Sequence, residues 1–223
     1  MEVRHEWKIE INASDRIAVR QRLRAIARPD PHAVNGTYQI RSLYFDNLSD
    51  KALREKLDGV NAREKFRIRC YNGDISLIHL EKKSKRNGLG SKQAEQISAA
   101  ETAAILSGDW AWMPGCGRSL VAELYSKMLC QGLRPKTIVD YVREPYIYSP
   151  GNVRITLDYN IRTGCSCKDF LRCDCITIPA GDAHIILEVK WDEFLPEPVR
   201  AAVQLCGRHA GAFSKYAACR IYG

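Results

Sequence analysis

Arg63, Lys65, Arg67 and Arg69 place an unbroken row of cations on alternate positions of one segment. On an extended strand such residues share a face about 7 Å apart, from a rise of roughly 3.4 Å per residue, so the row repels itself unless an anion or acidic side chains offset it. Other segments set a carboxylate two positions from a cation: Glu6 and Lys8, Glu81 with Lys83 and Lys85, Glu188 with Lys190. Many cations with a few carboxylates suit a chain of phosphates with a divalent metal, because guanidinium and ammonium groups hold oxygens while carboxylates hold the metal.

The elements that carry these residues have period two. In residues 3–11, Val3, Trp7, Ile9 and Ile11 alternate with Arg4, Glu6, Lys8 and Glu10; in 63–71, Phe66, Ile68 and Cys70 alternate with the cationic row. Val153, Ile155 and Leu157 alternate with Arg154, Thr156 and Asp158, and Ile185, Leu187, Val189 and Trp191 with Glu188, Lys190 and their neighbours. These four segments read as strands with one apolar and one charged face. Less regular strands are expected at 38–46, 75–85 and 136–147, and a weaker eighth at 176–178. Helical spacing joins Val19, Leu23, Ile26 and Ala27 after a cap at Ser14, with Pro29 as the stop. Ser98 and Glu101 have capping-box spacing. Leu120, Leu124 and Met128 form another helical face, and Val199, Val203 and Cys206 a fourth.

Helices are fewer than strands and do not follow each one, which favours α+β with an antiparallel sheet over a parallel βαβ array. There is no internal repeat and no long linker, so residues 1–223 read as a single domain. The ordinary account of a charged strand face is solvent. The like-charged row and the admixed glutamates weigh against it, and closing the eight expected strands into a barrel with the apolar side outward under flanking helices would gather the charges in one lumen. Pairing of Arg67 and Arg69 with Glu6, Glu81 and Glu188 as a structural ion network is the alternative.

The 223 residues are 45% hydrophobic and 27% charged, which excludes collagen-like, low-complexity and wholly disordered classes. No run approaches the roughly 20 apolar residues of a membrane helix, so no direct membrane insertion is expected. The charged start lacks an apolar leader core, and a cytoplasmic location is expected. The net charge of +8 calls for an anionic partner. Nucleic acid is disfavoured, because the cations lie on strand faces with few interleaved aromatics. Nine cysteines are an odd number, so a disulfide framework is not expected, and Cys70, Cys116, Cys130, Cys206 and Cys219 read as small hydrophobes or incidental thiols. Cys165, Cys167, Cys173 and Cys175 have a spacing that could surround a structural Zn²⁺ at a hairpin tip, with plain thiols or disulfides as alternatives.

Arg4-x-Glu6-x-Lys8, Ser42-Leu43-Tyr44-Phe45-Asp46, Lys65-Phe66-Arg67-Ile68-Arg69-x-Tyr71, Glu81-x-Lys83, Tyr141-x-Arg143, Val153-Arg154-x-Thr156-x-Asp158, Leu187-Glu188-x-Lys190 and Phe213-Ser214-Lys215-Tyr216 follow one another along the chain. In this order they resemble the VTC domain, a polyphosphate polymerase module of the triphosphate tunnel metalloenzymes, also called CYTH-like. The resemblance runs from about residue 3 to residue 220. It implies an antiparallel β-barrel whose tunnel is lined by the phosphate-binding cations Lys8, Arg67, Arg69, Lys83, Lys92, Arg143, Arg154 and Lys215, with Tyr141 as a neutral donor. Lys92 depends on a turn at Asn87-Gly88-Leu89-Gly90. It also implies Glu188 as the metal ligand, with Glu6 able to join it and Lys190 as a further lumen residue. Many tunnel enzymes open Glu-x-Glu-x-Lys; Arg4 stands here at the first position, which disfavours carboxylate-rich triphosphatase chemistry.

The resemblance thus leads to the expectation of an enzyme that transfers phosphoryl groups from ATP to a growing inorganic polyphosphate chain with Mn²⁺ or Mg²⁺. Tyr44 and Phe45 are expected in the core. A triphosphatase or polyphosphatase, and a polyphosphate-binding module without turnover, are the rival functions. No protein partner is indicated.

Overall fold

Strict alternation becomes strand wherever it occurs. The computed structural model describes residues 4–87 and 89–221. Val3, expected to open the first strand, and Gly88, expected in a turn, lie outside the described residues. In chain order the elements are β1 (His5–Ile11), α1 (Ala13–Ile26), β2 (Arg28–Pro29), β3 (Tyr38–Asp46), α2 (Lys51–Leu57), β4 (Arg63–Tyr71), β5 (Asp74–Arg86), β6 (Leu89–Ile97), α3 (Ala99–Ser107), α4 (Ser119–Cys130), β7 (Arg134–Tyr148), β8 (Val153–Gly164), β9 (Thr177–Pro179), β10 (Ile185–Trp191), α5 (Glu197–Val203) and α6 (Lys215–Arg220). Two 3₁₀ turns lie at Pro150–Asn152 and Cys167–Leu171. No helix among the described residues is long and apolar enough to cross a membrane.

The strands form one ten-stranded sheet in the order β1-β10-β8-β7-β3-β4-β5-β6, with β2 paired to β7 and β9 to β8. The order is an open path, and no ladder among the described residues joins its two ends. The closed eight-stranded barrel expected from the sequence is therefore not what the pairing records; the α+β antiparallel class is. The expected eighth strand exists as β9 but lies off the main path, and the place is taken by β6. β6 pairs with β5 alone and buries only Ile97. An edge strand wet on both faces has no apolar alternation to find. The signal it does leave is Asn87, at φ 52° between the register partners Arg86 and Leu89, a tight-hairpin position that favours Asn-Gly.

The chain divides into two compact units. The first comprises residues 1–39, 141–161 and 181–215. Its core packs the odd-numbered residues of β1, β8 and β10, among them Ile9, Ile155, Leu157, Leu187 and Val189, with Val19 and Leu23 of α1 and Val199 and Val203 of α5. The even-numbered residues of those strands, which include Lys8, Arg154, Asp158, Glu188 and Lys190, leave on the other face. Asn12, not Ser14, caps α1: its side chain accepts from the Asp15 N–H at 2.8 Å while Asp15 accepts from the Asn12 N–H. Ser14 lies inside the first turn because the reciprocal box needs an acceptor three residues before Asp15. Cys206 lies beyond α5 and is exposed.

The second unit comprises residues 40–140, 162–180 and 216–223. Phe66, Ile68 and Cys70 of β4 and Ile78 and Leu80 of β5 pack against Ile105 of α3 and Leu120, Leu124 and Met128 of α4. Each such side chain contributes about 1.5–3 kcal/mol by leaving water. The Ser98–Glu101 capping box forms as expected. α2, unforeseen in the sequence, has no cap of its own. Asp46 at the end of β3 replaces it, accepting from the N–H groups of Ala52 at 2.9 Å and Leu53 at 3.1 Å.

Candidate functional site

Within the first unit, the register sets Lys8 beside Glu188 and Glu188 beside Thr156, and in the next row Glu6 beside Lys190 and Lys190 beside Arg154. Opposite charges side by side on β1 and β10 make that part of the face cohesive, whereas Lys190 and Arg154 set like charges next to each other. Lys190 Nζ lies 2.5 Å from Glu188 Oε1 and 3.4 Å from Glu6 Oε1, and Lys8 Nζ lies 2.8 Å from Glu6 Oε2. Glu188 is only 6% exposed. Burial alone would raise its carboxyl, but Lys190, Arg143, Lys8 and Lys215 outweigh burial and hold it well below the ordinary carboxylate range.

A second cluster of this unit centres on Asp158, which has no exposure. Arg143 grips it bidentately through Nε and Nη2, both at 2.6 Å, and Lys215 Nζ reaches it at 2.7 Å. Lys215 also lies 4.8 Å from the ring centroid of Tyr141, itself buried. Lys215 is the first residue of α6 and its side chain is 11% exposed. Burial lowers the Lys215 pKa, yet Asp158 and Tyr141 more than compensate and raise it.

Arg154 donates from Nη2 to Tyr38 Oη at 2.6 Å and to Asp30 Oδ2 at 3.1 Å. Its Nε is buried and has no partner, and the Thr156 hydroxyl, on the same strand face, is also buried without one. Two unmatched polar atoms on a face lined by Lys190 and Glu188 call for an external partner, because a buried unsatisfied group costs about 1–3 kcal/mol.

The second unit holds the other expected cations. Arg67 and Arg69 are 6% and 5% exposed, so the solvated-face account fails for the row that raised it. Arg67 donates from Nε to Glu81 Oε2 at 2.7 Å and from Nη1 to Tyr44 Oη at 2.9 Å, and Arg69 donates from Nε to Ser42 Oγ at 2.9 Å. Lys92 Nζ lies 2.6 Å from Glu81 Oε1 although half its side chain is exposed. Of the ion network considered above, the Arg67–Glu81 pair forms in this unit. Burial would raise Glu81, but Arg67, Arg69 and Lys92 hold it at about 2. Lys65 stands opposite Lys83, and Lys83 opposite Lys92, a lateral row of three like charges that ordinarily destabilises a sheet.

Tyr44, expected in the core, is buried but polar in function. Its ring stacks on Tyr216 at 4.9 Å between centroids. Burial would raise the phenol, yet Arg67, Lys65 and Arg69 bring it down to about 7. Sequence reading also passed over Asp158 and Asp30 as site residues. For Asp158 the signal was present, an acid on an alternating strand whose apolar positions are assigned to the core; Asp30, just past the two-residue strand β2, left none.

The four hairpin cysteines are free thiols, Cys165 and Cys173 exposed and Cys167 and Cys175 half-buried against the second core. Among the described residues no group of three or more His, Cys, Asp or Glu side chains is placed to hold a metal ion. Burial raises the Cys167 thiol to about 11.

The family model of the VTC domain matches residues 3–221. No curated protein matches the chain. Among solved structures, the PH1819 protein from Pyrococcus horikoshii OT3 aligns at 15% identity and a TM-score of 0.42 over 89% of this chain and 84% of that one. The siderocalin Ex-FABP aligns at 8% identity and a TM-score of 0.17 over 76% and 79%. At these scores neither likeness bears on fold or function.

Proposed function

Because the chain belongs to the VTC domain family, we propose that it is a polyphosphate enzyme that transfers phosphoryl groups from ATP to a growing inorganic polyphosphate chain. The observation that carries this reading is the pair of buried, unmatched donors Arg154 Nε and Thr156 Oγ1 on a cationic face. They have the chemistry of a site waiting for oxyanions.

The attacking oxygen belongs to an ionised phosphate and needs no general base, so the protein has to align reactants and offset charge. Asp158 holds Arg143 and Lys215 in place before substrate arrives. Arg143 and Arg154 offer planar forks, and Lys8, Lys190 and Lys215 point charges. In the second unit Arg67, Arg69, Lys83 and Lys92 present the same chemistry to phosphates. Tyr141 lies against Lys215 and Arg143 and supplies a neutral hydroxyl. A tunnel that threads the chain belongs to this proposal.

Mn²⁺ or Mg²⁺ fits Glu188 with Glu6, two carboxylates joined through Lys190, since such ions take one or two carboxylates and complete their shell with water and phosphate oxygens. When bound, the ion neutralises charge on the phosphates.

The test is incubation of the purified chain with ATP and Mn²⁺ or Mg²⁺, followed by separation of phosphate species. Long polyphosphate is expected. ADP and orthophosphate without chains would replace the reading with a hydrolase, and unchanged ATP with tight polyphosphate binding would replace it with a binding module. Wild-type turnover in all of Arg67→Ala, Arg154→Ala and Lys215→Ala would remove the site assignment itself.

A further inference from the structure

The first unit contains a cavity of about 560 Å³ that the phosphate chemistry does not use. Its lining includes Arg20 and Arg24 of α1, Pro29 of β2, Gly36 of the following loop, and Glu144 and Tyr146 of β7. Glu144 and Tyr146 leave β7 at even positions, whereas Tyr141 and Arg143 leave it at odd ones, so the cavity opens on the opposite face of the strand from the Asp158 cluster. Its size falls in the range of roughly 300–1,000 Å³ typical of small-molecule sites.

The polar end of the cavity is built rather than incidental. Glu144 and Tyr146 are 5% and 4% exposed. Tyr146 Oη donates to Glu144 Oε1 at 2.5 Å, and Arg20 Nε approaches the same carboxylate at 2.9 Å. Burial, then this carboxylate, raises the Tyr146 phenol, so it stays a protonated donor. Glu144 thus fixes Arg20 by Nε, and the two terminal nitrogens of Arg20 have no partner among the described residues. Arg24, one turn further along the same helix face, brings a second guanidinium to the rim. The two arginines exceed the one acid by a single charge. Ala27, Pro29 and Pro145 give the remaining wall an apolar surface.

We propose that this cavity binds a small organic phosphomonoester, with its phosphate on the Arg20–Arg24 edge and a flat or apolar body against Pro29 and Pro145. A polyphosphate chain does not suit it, because the lining sets only Arg20 and Arg24 against the buried acid Glu144. The wall has a structural consequence: Asp30 follows Pro29, donates its backbone N–H to the Pro145 carbonyl at 3.3 Å, and holds Arg154 through its carboxylate. A ligand that presses on Pro29 acts on the residue that positions Arg154. This last step rests on the proposed function; the binding itself does not.

The test uses phenyl phosphate as the minimal probe, with phenol and inorganic phosphate as its two halves, followed by NMR chemical-shift titration of the intact chain. Saturable shifts at Gly36, Tyr146 and the Arg20 and Arg24 side chains are expected with phenyl phosphate, tighter than with either half. Arg24→Gln, at an exposed position, and the double variant Arg20→Gln/Glu144→Gln, which removes the ion pair together, are each expected to weaken binding about 10-fold, the loss of one charge-assisted contact. Lys215→Ala should leave it unchanged. Absence of shifts in this cavity at millimolar probe, equal affinity for inorganic phosphate alone, or loss of binding in Lys215→Ala with retention in Arg24→Gln would each overturn the proposal. None of these outcomes depends on whether the chain makes polyphosphate.

Discussion

Lys215 sets its ammonium 2.7 Å from Oδ2 of Asp158, a carboxylate with no solvent exposure that Arg143 already grips with two hydrogen bonds. One buried anion therefore orders two cations. Burial acts against all three charges, and only their mutual attraction keeps Asp158 below and Lys215 above their ordinary values. Asp158→Asn keeps the shape and removes the charge, leaving Arg143 and Lys215 facing each other. A loss of about 3–5 kcal/mol is expected, the cost of breaking one side of a buried ion pair. Denaturant unfolding measures it. Tripolyphosphate should restore more stability to the variant than it adds to the wild-type chain, because phosphate oxygens replace the missing acid. A variant with wild-type stability and no added response would show that Asp158 does not organise the pair.

Arg154 and Thr156 separate ligand binding from folding. Arg154→Lys keeps the charge and deletes Nε, the buried donor without a partner. Tripolyphosphate affinity should fall about 10-fold, since one charged hydrogen bond is worth roughly 1.5–3 kcal/mol. Thr156→Val removes an unsatisfied buried hydroxyl without changing volume. Stability should hold or rise by about 1 kcal/mol while affinity falls. Isothermal titration and thermal unfolding on the same samples read both. Unchanged affinity in both variants would mean that the two orphaned atoms do not meet phosphate.

These residues also show what sequence parity can and cannot deliver. The faces of β1, β4, β8 and β10 were legible because each strand is buried on its apolar side, so alternation is enforced by packing. Lys8, Arg154, Glu188 and Lys190 were placed together on that basis, and Arg67 with Arg69. What parity lacks is partner choice. That Lys190 reaches Glu6 as well as Glu188, or that Asp158 binds two cations, depends on the register of strands far apart in the chain and on a lysine delivered by α6. Tyr44 was assigned to the core by its apolar ring, whereas its hydroxyl meets Arg67. β6 was missed because both its faces are wet, and Asn12 because Ser14 satisfied the same cap preference two residues later.

Glu81 governs the acid limb of stability in the second unit. Its folded pKa is about 2 against an ordinary 4.5. As pH falls, the unfolded chain takes up the proton first, so this contribution is complete above 4.5 and disappears as pH falls towards 2. The loss amounts to roughly 3 kcal/mol. Unfolding free energies measured across this range should decline by that amount in the wild type. The decline should be much smaller in Glu81→Gln, which starts from a lower plateau because Arg67 has lost its acid.

Tyr44 governs the neutral limb. Three cations of β4 bring its phenol to about 7 from an ordinary 10.0, while its neighbour Tyr216 is pushed upward by burial and by Asp46. Between those two values the folded state carries phenolate and the unfolded state still holds the proton, so stability rises with pH through that window. An ultraviolet titration should show a tyrosinate band growing in near pH 7 in the wild type and absent from Tyr44→Phe. The phenolate also competes for Arg67 with any phosphate brought to it. Raising the pH through 7 should therefore weaken tripolyphosphate binding relative to Tyr44→Phe measured at the same pH, a comparison that cancels the ionisation of the phosphate itself. If the two proteins keep a constant affinity ratio across that range, Tyr44 does not regulate access to Arg67.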